Sequence, residues 1–304
     1  MKVTWNGVYP AISTQFHDDG SINFESNARM LNQLIEDGVD GIIALGTVGE
    51  NCSLSPQEKR DFLKHTLEVA AGRIPVISGC AETTTEFAKS FVKDAEALGV
   101  DGIMLLPGMV YRANREETLY HYQQVSRATT LPIMIYNNPV TYGVDVDLEM
   151  TQVLAKERNI VAIKESTTDT RRITELHNQF GDRFIVFCGV DDIALESVML
   201  GATGWISGLT NVFPRESVAI MKLARAGRYQ EAREIWRWFL PLLRLDTVPH
   251  LVQCIKLAEQ LAGRGSENVR APRLPLSGAE RARVTKVYED AIATRPDLSQ
   301  FNLD

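Results

Sequence analysis

Short apolar runs alternate with longer amphipathic stretches over the first two-thirds of the chain. The runs at 8–14, 41–46, 75–79, 102–106, 132–136, 160–164, 184–189 and 204–207 are too short for helices and read as buried strands. Between them, 24–37, 56–71, 83–98, 115–128, 148–157, 171–180 and 191–200 carry apolar residues at helical spacing. Strands of this kind separated by helices require right-handed crossovers and a parallel sheet.

A repeat sharpens the picture. Gly38-Val39-Asp40-Gly41-Ile42 returns as Gly99-Val100-Asp101-Gly102-Ile103, 61 positions later (38 to 99), and more loosely as Gly201-Ala202-Thr203-Gly204-Trp205-Ile206. The first glycine suits the residue after a helix, and the second opens the next strand. The offset equals two strand–helix units of about 30 residues each. Eight such units predict an α/β fold, a closed (β/α)8 TIM barrel. No GxGxxG opens a helix after a strand, which argues against a dinucleotide site. Beyond Asn211 the pattern is helical only, at 215–226, 229–243, 250–262 and 278–294. The first of these completes the barrel. The reading divides the chain into a catalytic barrel at 1–227 and a C-terminal helical extension at 228–304.

Composition narrows the function classes. The 304 residues are 44% hydrophobic and 23% charged, as in soluble globular proteins. A net charge of −7 argues against partners gripped electrostatically, so neither nucleic acid nor membrane is expected as a partner. No window reaches about 18 continuous apolar residues, and the opening Met1-Lys2-Val3-Thr4-Trp5-Asn6 lacks a signal peptide's apolar centre. Cys52, Cys80, Cys188 and Cys254 form no CxxC pair, and the five histidines form no HExxH. Reduced thiols, a cytoplasmic location and no metal site are expected.

Candidate chemistry gathers at strand ends, where a barrel carries its catalytic groups. Lys164 stands at the polar end of Ile160-Val161-Ala162-Ile163-Lys164. An ammonium there is costly, and a lysine that sheds its proton can attack a carbonyl to form a Schiff base. Tyr136, ending Leu131-Pro132-Ile133-Met134-Ile135-Tyr136, is a proton-transfer partner. The loop Gly46-Thr47-Val48-Gly49-Glu50-Asn51 follows the second strand, and Gly189-Val190-Asp191-Asp192 the seventh. Singly, each has a plain explanation: a tight turn, a packed tyrosine ring, or an aspartate as helix N-cap, the reading favoured for Asp191 or Asp192. Their coincidence on one rim points to catalysis.

These residues resemble the dihydrodipicolinate synthase/N-acetylneuraminate lyase family of class I aldolases along nearly the whole chain. Gly46-Thr47-Val48-Gly49-Glu50 is similar to that family's GTTGE loop, Tyr136-Asn137-Asn138-Pro139 to its YNxP, Ile163-Lys164-Glu165-Ser166 to its lysine motif and Gly189-Val190-Asp191 to its GxD. The resemblance implies a barrel with a helical extension, usually tetrameric. It also implies Lys164 as the Schiff-base residue, Tyr136 as the proton shuttle, and Thr47 and Val48 amides holding the carboxylate of a 2-oxo acid. Asn138, Gly189, Ile206 and Ser207 are the further candidates for substrate contact. No cofactor is expected beyond the covalent imine.

Three departures bear on the reaction. Val48 replaces the loop's second hydroxyl, part of the synthases' relay. Thr141 stands where they carry an arginine for the aldehyde substrate's carboxylate. Pro107-Gly108-Met109-Val110-Tyr111-Arg112 replaces the segment that lends a tyrosine across their subunit interface, and whether Tyr111 substitutes for it is left open by the sequence. Together with Asp169-Thr170-Arg171-Arg172, 224–229 and 251–256, this pattern is similar to the bacterial 1-pyrroline-4-hydroxy-2-carboxylate deaminases. The expected reaction is therefore hydrolytic deamination of that cyclic imine to 2,5-dioxopentanoate and ammonia. The alternatives are a 2-keto-3-deoxy sugar acid dehydratase or aldolase and a dihydrodipicolinate synthase-like lyase.

Overall fold

The computed structural model describes residues 3–108 and 111–303. Eight strands, β1 (Gly7–Pro10), β2 (Ile42–Ala44), β3 (Val76–Cys80), β4 (Gly102–Leu105), β5 (Ile133–Asn137), β6 (Ile160–Glu165), β7 (Ile185–Cys188) and β8 (Gly204–Ser207), run in parallel in the order β1-β8-β7-β6-β5-β4-β3-β2. A bridge between Ala11 and Ile43 joins the two ends, so the sheet closes on itself as a (β/α)8 barrel.

Period-two alternation sorts the strand residues between two cores. Ile42, Ala44, Ile103, Leu105, Ile133 and Ile135 face the helical layer. Ile43, Met104, Met134, Ala162 and Phe187 belong to the second cluster, which continues into the C-terminal helices. Lys164 lies two residues beyond Ala162 and Tyr136 two beyond Met134, so both side chains point into the barrel. The β5–β6 register sets Tyr136 directly opposite Lys164.

The outer layer comprises α1 (Phe24–Glu36), α2 (Pro56–Ala70), α3 (Thr85–Leu98), α4 (Arg115–Ser126), α5 (Pro139–Tyr142), α6 (Leu148–Leu154), α7 (Arg171–Phe180), α8 (Ala194–Met199) and α9 (Pro214–Arg225). The extension holds α10 (Tyr229–Leu243), α11 (Leu251–Leu261) and α12 (Gly278–Ala293). No helix among the described residues is long and apolar enough to cross a membrane. The repeat's first glycines, Gly38 and Gly99, have φ of 90° and 92°, a left-handed conformation that glycine adopts without strain. Its second glycine admits a neighbour: a Cβ on Gly41 would lie 2.1 Å from the Tyr9 ring.

Two local expectations are corrected. The first strand ends at Pro10 rather than continuing to residue 14, because Ala11 and Thr14 turn to other partners at the barrel mouth. The Ala11 carbonyl accepts from Asn211, and Thr14 donates to the Gly49 carbonyl. Neither Asp191 nor Asp192 caps a helix; the Asp191 carboxylate turns inward to Trp205, Ser207 and Leu209. The short helix α5 is a further difference, started by the Asn138 side chain accepting from the Thr141 amide.

Candidate active site

A cavity of about 390 Å³ opens at the C-terminal ends of the strands, with Lys164 and Tyr136 in its wall. The Lys164 ammonium nitrogen sits 3.9 Å from the centroid of the Tyr136 ring. Burial pulls the Lys164 pKa down to about 8, against the opposing fields of Asp246, Asp191 and Cys188. Burial pushes the Tyr136 hydroxyl up to about 12, so it stands as a neutral phenol that takes up a proton only as it passes its own to a neighbour. Its oxygen receives a 3.2 Å hydrogen bond from the Asn138 amide. Asn138 thus holds Tyr136 with one end and starts α5 with the other.

The β2–α2 loop forms a second wall through Gly46, Thr47 and Val48. Leu45 and Glu50 both have positive φ, 55° and 53°, which folds the loop tightly. Asn51 ties it back to the Leu45 carbonyl at 2.9 Å, and Lys256 of α11 pairs with Glu50 at 3.1 Å. Among the described residues, no protein acceptor takes the Thr47 or Val48 amide hydrogens. The loop therefore presents donors suited to a carboxylate.

Gly189 lies beside the lysine for a steric reason: a Cβ there would stand 2.6 Å from the Lys164 Cε. Gly189 and Ile206 line the cavity. Ser207 does not, since its hydroxyl donates to Asp191 at 3.0 Å and accepts from the Thr210 amide. That corrects its assignment as a substrate contact. Tyr111 is 63% exposed and lies outside the cavity of its own chain, while Met109 and Val110 fall outside the described residues.

Two groups at the site carried no sequence signal. Tyr142, from α5, places its hydroxyl 2.6 Å from the Thr47 Oγ1. Asp246 reaches the cavity from the turn between α10 and α11 and contacts Asp191. Burial and the neighbouring carboxylate raise the Asp246 pKa well above the carboxylate range, and burial raises Asp191 to about 6. Neither Tyr142 nor Asp246 belongs to a motif or a periodic run. Among the described residues no group of three His, Cys, Asp or Glu side chains could hold a metal ion.

The arrangement is a poised amine, a neutral phenol at its side, a cradle of amides and a carboxyl pair around one small cavity. The family model for the dihydrodipicolinate synthetase family matches residues 4–291. The chain is 32% identical to 4-hydroxy-tetrahydrodipicolinate synthase 1 of Halalkalibacterium halodurans, over 97% of this chain and 98% of that protein. It is 34% identical to the 4-hydroxy-tetrahydrodipicolinate synthase of Methanosarcina barkeri, over 92% and 96%. Among solved structures, the synthase of Methylacidiphilum fumariolicum SolV superposes with a TM-score of 0.91 at 30% identity, covering 96% of this chain and 98% of that one. The chloride-inhibited dihydrodipicolinate synthase of Acinetobacter baumannii complexed with pyruvate gives 0.89 at 30%, covering 95% and 99%. These names favour the lyase that the sequence reading placed among its alternatives over the deaminase it placed first.

Proposed function

Since the chain belongs to the dihydrodipicolinate synthetase family, whose members are lysine Schiff-base lyases, we propose that it forms an imine between Lys164 and a 2-oxo acid and exchanges protons at the substrate's C3. The neutral amine attacks the C2 carbonyl carbon, and the oxygen leaves as water. The resulting iminium withdraws electrons, so C3 loses a proton to give an enamine. Tyr136 moves that proton, and the Thr47 and Val48 amides hold the carboxylate. The observation that carries this reading is the Lys164 nitrogen, buried and 3.9 Å from the Tyr136 ring centroid in a cavity large enough for a small acid.

Borohydride reduction in the presence of pyruvate tests it: the expected outcome is a stable pyruvate-derived adduct on Lys164. A protein left unmodified at that residue would remove the proposal.

The enamine can take two courses. Attack on an aldehyde, synthase-like, is supported by the names of the relatives. A second reading, hydrolytic deamination of 1-pyrroline-4-hydroxy-2-carboxylate, is favoured by the charge of the cavity. Lys164 is the sole Lys or Arg among the described residues lining it, while Asp191 and Asp246 are both present. A substrate bearing a second carboxylate finds no cation at Thr141, whereas a substrate with one carboxylate needs none. Parallel assays separate the courses: ammonia release from the hydroxypyrroline carboxylate supports the second, and consumption of pyruvate with aspartate semialdehyde supports the first. Assembly into a homotetramer in the cytoplasm belongs to the same proposal, and sedimentation of the purified protein tests the tetramer.

A further inference from the structure

Asp191 and Asp246 meet at the cavity wall without a basic partner between them. Asp191 is fully buried and accepts three hydrogen bonds: Trp205 Nε1 at 3.0 Å, Ser207 Oγ at 3.0 Å and the Leu209 amide at 3.1 Å. Asp246 contacts Asp191, takes a hydrogen bond from the Gly208 amide and keeps part of its surface open to the cavity. Two carboxylates in contact cannot both ionise cheaply, so the pair shares one proton at neutral pH. The three donors satisfy Asp191 as the anion. The proton therefore resides on Asp246, the member that faces the substrate.

We propose that Asp246 is a catalytic acid that protonates the oxygen on the substrate carbon next to C3, with Asp191 as the positioning residue that keeps the proton on it. The inference rests on the imine reading and holds for either course of the enamine. In condensation, the enamine electrons form the bond from C3 to the aldehyde carbon, and the aldehyde oxygen takes the Asp246 proton. In elimination, the same electrons expel the C4 hydroxyl, which takes that proton and departs as water. Both steps turn a neutral enamine into a cationic iminium on Lys164 while Asp246 becomes a carboxylate. The second negative charge of the pair thus appears opposite a positive charge made in the same step. Tyr136, bound through Asn138 on the β5 side, remains free to serve C3.

The titratable groups acting on Asp246 are Asp191 after β7, Lys164 on β6, Tyr136 on β5 and Cys254 on α11. Arg244, on the same turn, points to Asp192 at 3.9 Å. Asp191 raises the pKa of Asp246 and Lys164 lowers it. Loss of the Asp246 proton at high pH therefore stops the step at the C4 oxygen but not the step at C3.

Three measurements on the full chain decide the matter. Borohydride trapping and exchange of the C3 hydrogens in D2O, both with pyruvate alone, report the imine and enamine. Turnover of whichever full substrate is consumed, the hydroxypyrroline carboxylate or pyruvate with aspartate semialdehyde, reports the C4 step. Asp246→Asn is expected to keep trapping and exchange within about threefold while kcat falls about 100-fold or more and KM changes little. In the unaltered protein, kcat should show an alkaline limb that pyruvate exchange lacks, and Asp191→Asn should move that limb to lower pH. Turnover within threefold in Asp246→Asn, or exchange lost in parallel with turnover, overturns the assignment. If Asp246→Asn does not fold, the alkaline limb decides alone, and its absence overturns the assignment equally. No trapping in the unaltered protein would instead strike the imine reading itself.

Discussion

The Tyr142 hydroxyl lies 2.6 Å from Thr47 Oγ1, and the Tyr142 ring stands edge-on to Tyr136 with centroids 5.6 Å apart. Three hydroxyls from β5, α5 and the β2–α2 loop thus share one wall of the cavity. The sequence reading treats Val48 as the loss of a relay, because a valine passes no proton. The structure brings a hydroxyl to the neighbouring Thr47 from another element. In the proposed reaction, Tyr136 takes the C3 proton as its own hydroxyl proton passes to Tyr142 and on toward Thr47.

Replacing Tyr142 with phenylalanine keeps the ring and removes that path. Exchange of the C3 hydrogens of pyruvate in D2O is expected to slow by about 100-fold, the usual scale of a lost proton-transfer group. Borohydride trapping should persist, since the Lys164 amine is untouched. Exchange at the unaltered rate would show that Tyr136 hands its proton directly to water.

The acidity of Lys164 sets a pH dependence whose sign follows from its cause. Imine formation needs the neutral amine, and burial lowers the Lys164 pKa to about 8. Below that value the neutral fraction falls tenfold per pH unit; above it the fraction saturates. The rate of pyruvate trapping should rise from acid pH and level off near 8. A lysine with an ordinary pKa of about 10.4 would still be climbing at about pH 9.5, and such a profile would contradict the burial argument.

Thr141 offers a test of what the cavity accepts. It lines the wall opposite no cation, so Thr141→Arg adds the charge that a second substrate carboxylate requires. KM for an aldehyde bearing a carboxylate should fall about tenfold, worth about 1.4 kcal/mol. Pyruvate alone should bind within a factor of about two, because the proposal places its single carboxylate on the Thr47–Val48 amides. If both ligands tighten equally, the arginine acts on the pyruvate carboxylate and the two carboxylate positions are not distinct.

Much of this site was legible because it sits at the ends of periodic elements. Tyr136 and Lys164 close the apolar runs 132–136 and 160–164, the strand ends where a barrel carries its chemistry, while the strand register that sets them opposite each other shows only in the fold. Asp246 has no sequence signal because its placement depends on how the α10–α11 turn folds over the mouth, which no local pattern encodes. Tyr142 has none because a four-residue helix leaves no periodicity to read. Asp191 departs from the N-cap expectation for a physical reason: an aspartate after a strand usually meets free amides of the next helix, whereas here Trp205 and Ser207 of β8 compete for it and win. Ser207 followed it away from the cavity.

The loop proposed to cradle the carboxylate depends on a buried charge set back from the cavity. Lys256 is fully buried, donates to the Thr14 carbonyl at 2.7 Å and pairs with Glu50 at 3.1 Å. Glu50 is buried as well and accepts from the Arg270 amide at 3.1 Å, with Arg273 at 3.7 Å. Removing one member of such a pair leaves the other's charge in a low-dielectric site, a loss of about 3–5 kcal/mol. Lys256→Met should therefore lower the thermal unfolding midpoint strongly and, through the displaced loop, raise KM for pyruvate. Pairing it with Glu50→Gln removes the stranded charge, so the double variant should recover part of the lost midpoint. If the double variant unfolds lower than Lys256→Met, the burden lies in lost hydrogen bonds to Thr14 and Arg270 rather than in the uncompensated carboxylate.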